Sequence, residues 1–203
     1  MPATTKLPVT TLTIIGLAVI VSASPTLSRW LVWDRTAIAD GQWWRLATGH
    51  LVHFTPQHFG FDAFAVGVAG WLIEIRVRRS WVLLSLVASL AIGISTLAFC
   101  PMVQVYGGLS GLACALCGSL AVLGIRTGGR ARWFGLALMA VSACKVGWEM
   151  STGQPLFISN SGDSYVVLPL AHATGLAVGL VAGVAAPNQL TNANLRGGLF
   201  ERP

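Results

Sequence analysis

Two side chains set in apolar stretches carry the chemistry open to this chain. Ser110 stands in Gly108-Leu109-Ser110-Gly111 at the head of one such stretch, and His172 lies early in a later one. A hydroxyl and an imidazole are costly in apolar spans unless they serve a purpose. Serine becomes a nucleophile once a base takes its proton, and histidine is the usual base near neutral pH. The pair fits hydrolysis at a membrane. Gly108 and Gly111 would allow a tight turn and clear space for a substrate backbone. Backbone N–H groups at a helix start would stabilise an oxyanion. Tyr106-Gly107-Gly108 fits a non-helical entry. Taken alone, the same glycines equally suit close helix packing.

The remaining polar residues gather around this pair. His172 is followed by Gly175 and Gly179, which share its helix face and would let a neighbouring helix approach. His58 and Asp62 are four apart, close enough on one face to hydrogen-bond. With His50 and His53 they raise the question of a metal, but His50-x2-His53-x4-His58 lacks the HExxH pattern and a general-base carboxylate. No metal and no cofactor is expected. Trp43-Trp44-Arg45 reads as an interfacial segment, with tryptophans in the headgroup zone and Arg45 on phosphates, a role compatible with Trp44 and Arg45 as structural loop residues beside an active site; His50 and His53 could be interfacial only. Glu74–Arg78 and Lys145–Glu149 have i,i+4 spacing and read as structural ion pairs at opposite membrane edges.

These side chains need elements to hold them, and composition says which. The 203 residues are 54% hydrophobic and 10% charged, against about 25% charged in a soluble domain. The expected fold is an all-α polytopic membrane protein: one domain over 1–203, a compact six-helix transmembrane bundle. Its spans fall at about 9–25, 57–75, 81–100, 109–125, 132–149 and 167–186, followed by a short tail, 187–203. The first stretch could instead be a signal peptide, but Pro25 and the lack of a small-x-small site favour a retained span. Nine of the 13 basic residues, Lys6 before the first span and eight arginines after spans two, four and six, lie on one side, so both termini are expected in the cytoplasm. Spans two, four and six then start at the outer face, bringing all 4 histidines to the depth of Ser110.

The net charge of +6 follows from that topology, and with no basic stripe of interleaved aromatics no nucleic-acid partner is expected. Cys114-x2-Cys117 lies within a span without a second ligand pair, so both cysteines read as packing residues. Cys100 and Cys144 fall near the outer face, where a disulfide would be sterically open.

Together, these motifs resemble those of the rhomboid family of intramembrane serine proteases, and within it the rhombosortase branch. The resemblance runs from Trp43 to about Gly179. Trp44-Arg45 resembles the family's Trp-Arg loop motif, and His58-x3-Asp62 falls where the family has His-x3-Asn. Gly70-x3-Glu74 resembles the end of the second span. Gly108-Leu109-Ser110-Gly111 resembles the nucleophile motif, and His172-x2-Gly175-x3-Gly179 the base-bearing span. The branch is indicated by the compact core and by Trp43-Trp44-Arg45-Leu46-x-Thr48-Gly49-His50-x2-His53. The resemblance implies a bacterial plasma-membrane enzyme with its site toward the outside. Its substrates would be exported proteins with a C-terminal tail: a Gly-Gly-containing motif, a membrane span and a basic end.

The expected mechanism is a Ser110–His172 dyad, since no acidic residue is evident to orient His172. His58 and the Ser110 backbone N–H are the expected oxyanion donors. Asp62 departs from the family's Asn, because an ionised carboxylate cannot donate. It would have to stay protonated or turn toward His58. The competing readings are a non-catalytic binder of membrane segments, and a small transporter or haem-carrying membrane protein using histidines of spans two and six.

Overall fold

The computed structural model describes residues 7–154, 156 and 168–187, with the backbone alone at 76–80. Helix α1 (Val9–Ala23) stops where Ser24 turns extended and Pro25 opens α2 (Pro25–Leu31). Proline suits a first helical position because its missing N–H would have no partner there. The two helices meet at a 112° bend, so the stretch expected at 9–25 ends at the proline. The next connection contains two short helices, α3 (Arg35–Ala39) and α4 (Arg45–Thr48), and a 3₁₀ turn at Gly49–Leu51. It also carries β1 (Trp33–Asp34), which pairs antiparallel with β2 (Val105–Tyr106), Trp33 opposite Tyr106. That short ribbon ties the loop before α5 (Pro56–Phe99) to the segment that leads into Ser110.

α5 holds two apolar halves, Pro56–Ile75 and Trp81–Phe99. Glu74 and Trp81 both reach Thr11: a Glu74 oxygen accepts the Thr11 N–H at 2.8 Å, and the Trp81 ring N–H donates to its hydroxyl at 2.9 Å. At the far end, His50 faces the carbonyl of Ser89 at 3.0 Å and that of Gly108 at 3.3 Å. A Cβ at Gly108 would touch the His58 ring. Residues 58 and 89 therefore lie at one end and 74 and 81 at the other. On a straight helix, 58 and 89 would stand about 47 Å apart at 1.5 Å per residue. The two halves run antiparallel.

α6 (Ser110–Thr127) is the central helix, with Ala115, Leu116 and Ala121 fully buried. Gly128, at φ +83°, ends it in a conformation that suits glycine, and α7 (Gly129–Thr152) follows. α8 (Pro169–Ala185) packs on α6 closely enough that a Cβ on Gly175 would strike the Gly111 carbonyl, and one on Gly179 the Ala115 carbonyl. Small residues permit that approach. Arg126 closes the far end by donating to the carbonyls of Gly183 (2.6 Å) and Ala186 (2.9 Å).

Among the described residues, three helical segments are long and apolar enough to cross a membrane alone: both halves of α5, and α6. The bent pair α1–α2 would make a fourth, and α8 is apolar but shorter. The chain is an integral membrane protein, mostly helical. The tail at 187–203 lies outside the described residues except for Pro187.

Candidate active site

Ser110 opens α6 and His172 sits in the first turn of α8, so the α6–α8 contact sets their separation. The Ser110 Oγ is 2.8 Å from His172 Nε2, and His172 is buried. The lead-in is held on both sides. Gly108 adopts φ +121°, in the left-handed half of backbone space, and a Cβ there would lie 2.6 Å from His58 Cε1. Only glycine satisfies both conditions. Gly111 packs instead between Ile92 and Ala171, where a Cβ would be 2.8 Å from the isoleucine methyl. The N–H groups of Ser110, Gly111 and Leu112 fall in the first turn of α6, where a helix offers them no acceptor of its own.

The absence of an acid behind His172, expected from the sequence, is overturned. Glu149, on the last turns of α7, places Oε2 2.6 Å from His172 Nδ1. Lys145 Nζ donates to both oxygens of the same carboxylate, at 2.7 and 2.8 Å. The two form the ion pair expected from their spacing, yet Glu149 is 2% exposed and faces inward to the imidazole. A carboxylate at Nδ1 puts the ring proton there and leaves the Nε2 lone pair toward Ser110. Lys145 Nζ also lies 3.0 Å from Nδ1, an approach of two donors that share one acceptor.

His50 and His53 are packed inside the protein. Both are buried, His50 bracing Gly108 and Ser89, and His53 Nε2 accepting the Leu109 N–H at 3.3 Å. Asp62 Oδ2 lies 3.1 Å from His58 Nε2 and 3.2 Å from His53 Nε2. The ligand atoms of His53, His58 and Asp62 all fall within 4.8 Å of one another, a spacing that could hold an ion. The Leu109 N–H directed at His53 Nε2 engages the lone pair a metal would need. The cluster reads better as a hydrogen-bonded network around the 108–109 backbone.

Arg45 opens α4 in the loop before α5. It is 6% exposed, and its guanidinium donates to the carbonyls of Arg29 (2.9 Å) and Val32 (2.7 Å) and to the Gln42 side chain. It pins the loop. Trp43 and Trp44 are exposed, and the Trp44 ring N–H donates to the Trp30 carbonyl. Glu74 caps α1 through the N–H groups of Thr10 and Thr11; the Arg78 side chain proposed as its partner is outside the described residues. Cys100, Cys114, Cys117 and Cys144 are all free thiols, so Cys100 and Cys144 form no disulfide.

Residues 40–188 match the family model described as Rhomboid domain. No curated protein matches the sequence. The match covers most of the chain, including every residue of the Ser110–His172–Glu149 constellation and of the histidine cluster. The chain belongs to the rhomboid family of intramembrane serine proteases.

Proposed function

We propose that this protein is an intramembrane serine endopeptidase in which Ser110 is the nucleophile and His172 its general base. The observation that carries the reading is the 2.8 Å contact between Ser110 Oγ and His172 Nε2, with His172 buried and Ser110 half-buried. Ser110 attacks the scissile carbonyl while its proton passes to His172 Nε2. The carbonyl π electrons move onto oxygen, where the Ser110 N–H and the His58 side chain are the proposed donors. Nε2–H then protonates the leaving amine as the C–N bond breaks. Water, activated by the same imidazole, hydrolyses the acyl-enzyme. An acceptor amine that outcompeted water would give transpeptidation instead.

Asp62 fits this scheme if it does not point at the developing oxyanion. Its 3.1 Å contact with His58 favours the state turned toward the histidines over the protonated one. His58 is then oriented by a carboxylate, and only its doubly protonated ring, with Nε2–H on Asp62, leaves an Nδ1–H to replace the family's amide as donor.

The substrates proposed are membrane-anchored exported proteins, cut near the outer face in a C-terminal tail of the Gly-Gly, span and basic-end type. The Trp43–His53 segment and the compact core support the rhombosortase branch. In this reading α1, both halves of α5, α6, α7 and α8 are the six spans, with both termini cytoplasmic. The test is cleavage of a reporter carrying such a tail. Wild type should release the reporter, Ser110→Ala should not, and deleting the Gly-Gly motif should abolish release. Full processing by Ser110→Ala in a background without other peptidases of this class would remove the proposal.

A further inference from the structure

We infer that Glu149, held by Lys145, is a positioning residue that makes the Ser110–His172 pair a three-residue relay, an inference that rests on the serine-peptidase reading above. The bond from His172 Nδ1–H to Glu149 Oε2, at 2.6 Å, is in the range of strong charge-assisted hydrogen bonds. Glu149 comes from α7, a different helix from either partner, so its placement is tertiary and not a by-product of helical spacing. A carboxylate with 2% exposure inside a membrane protein is costly without compensation. Lys145, one turn earlier, bonds both of its oxygens and supplies that compensation.

The division of labour follows from proton accounting. Glu149 stays ionised throughout. In the resting enzyme it fixes the proton on Nδ1. When Nε2 takes the Ser110 proton, the ring becomes cationic and the adjacent carboxylate stabilises it; when Nε2–H goes to the leaving amine, the ring returns to its first state. No proton passes to Glu149. Lys145 does not touch the reacting atoms; it sets which way the carboxyl group faces.

This arrangement makes Glu149→Gln informative. Lys145 would take the amide oxygen and turn the amide N–H₂ toward Nδ1. Nδ1 would then accept, the ring proton would move to Nε2, and the base facing Ser110 would be lost. Wrong-tautomer substitutions of this type cost up to about 10⁴-fold in a soluble serine protease. Here the full chain in detergent is titrated with a fluorophosphonate probe, separating the maximal labelling rate from the probe concentration giving half that rate. Glu149→Gln is expected to lower the maximal rate by at least about 100-fold, with the half-saturating concentration within about twofold. Glu149→Asp, which keeps the charge one methylene back, should label faster than Glu149→Gln. A proton spectrum of wild type should show a far-downfield imidazole N–H resonance, absent in His172→Ala and displaced in Glu149→Gln.

The inference is overturned if Glu149→Gln and Glu149→Asp label at the wild-type rate while Ser110→Ala and His172→Ala do not label. Labelling that persists in Ser110→Ala instead removes the serine-peptidase reading itself, and the relay with it.

Discussion

At the scale of single residues, the site depends on which atoms each group must avoid as much as on which it touches. Gly108 is the sharpest case. Its φ of +121° disfavours any L side chain, and a Cβ there would press on the His58 ring. Gly108→Ala should cost about 1–3 kcal/mol of stability, read as a lower melting temperature in detergent, and should slow probe labelling further by displacing Ser110. Asp62→Asn should keep activity within about tenfold of wild type, since an amide can still accept from His58. Asp62→Ala, which leaves His58 unoriented, should lose about 10- to 100-fold in tail-reporter cleavage. Wild-type cleavage by both variants would strip Asp62 of a catalytic role. The sequence disclosed Ser110 and His172 because each is an isolated polar group in an apolar run. Glu149 met the same criterion and was hidden by Lys145, whose i,i+4 spacing supplied a sufficient local explanation. The missing fact was tertiary. The end of α7 comes level with the start of α8, and this brings Glu149 to His172.

At the scale of elements, the 2.8 Å serine–imidazole contact is a property of the α6–α8 interface. Gly175 and Gly179 lie against the backbone of Gly111 and Ala115, one and five residues beyond Ser110. Gly179→Leu should therefore force the two helices apart. The expected cost is about 1–3 kcal/mol from overpacking, together with a loss of labelling larger than that of a comparably destabilised variant elsewhere. Thermal unfolding and labelling rates on the same preparations check both parts. The loop before α5 responds to Arg45 instead. Arg45→Ala leaves the Arg29 and Val32 carbonyls without their donor, an expected loss of roughly 1–3 kcal/mol visible as a lower melting temperature. Periodicity and small-residue spacing made the helices and this glycine face legible. The loop was not, because Arg45 acts through carbonyls of Arg29 and Val32, which carry no side-chain signature.

At the scale of the whole molecule, a hydrophobic chain with few charges could only be helical in a membrane, and composition was enough to say so. The antiparallel fold of α5 was legible too, as a basic interruption between two apolar halves. The side of the membrane that each end faces was read from basic residues alone, and one of those has a second role: Arg126 caps the end of α8. The proposed orientation predicts that a fluorescent protein fused after residue 203 will fold in the cytoplasm. An export-dependent phosphatase fused in the Trp43–His53 loop should likewise be active outside; the reverse pattern would invert the site. The most direct measurement of the central claim is covalent labelling by a fluorophosphonate of purified wild type, Ser110→Ala and His172→Ala, with the modified residue located by mass spectrometry. The account predicts adduct on Ser110 in wild type and none in either variant. Equal labelling of Ser110→Ala, or an adduct elsewhere in wild type, would contradict it.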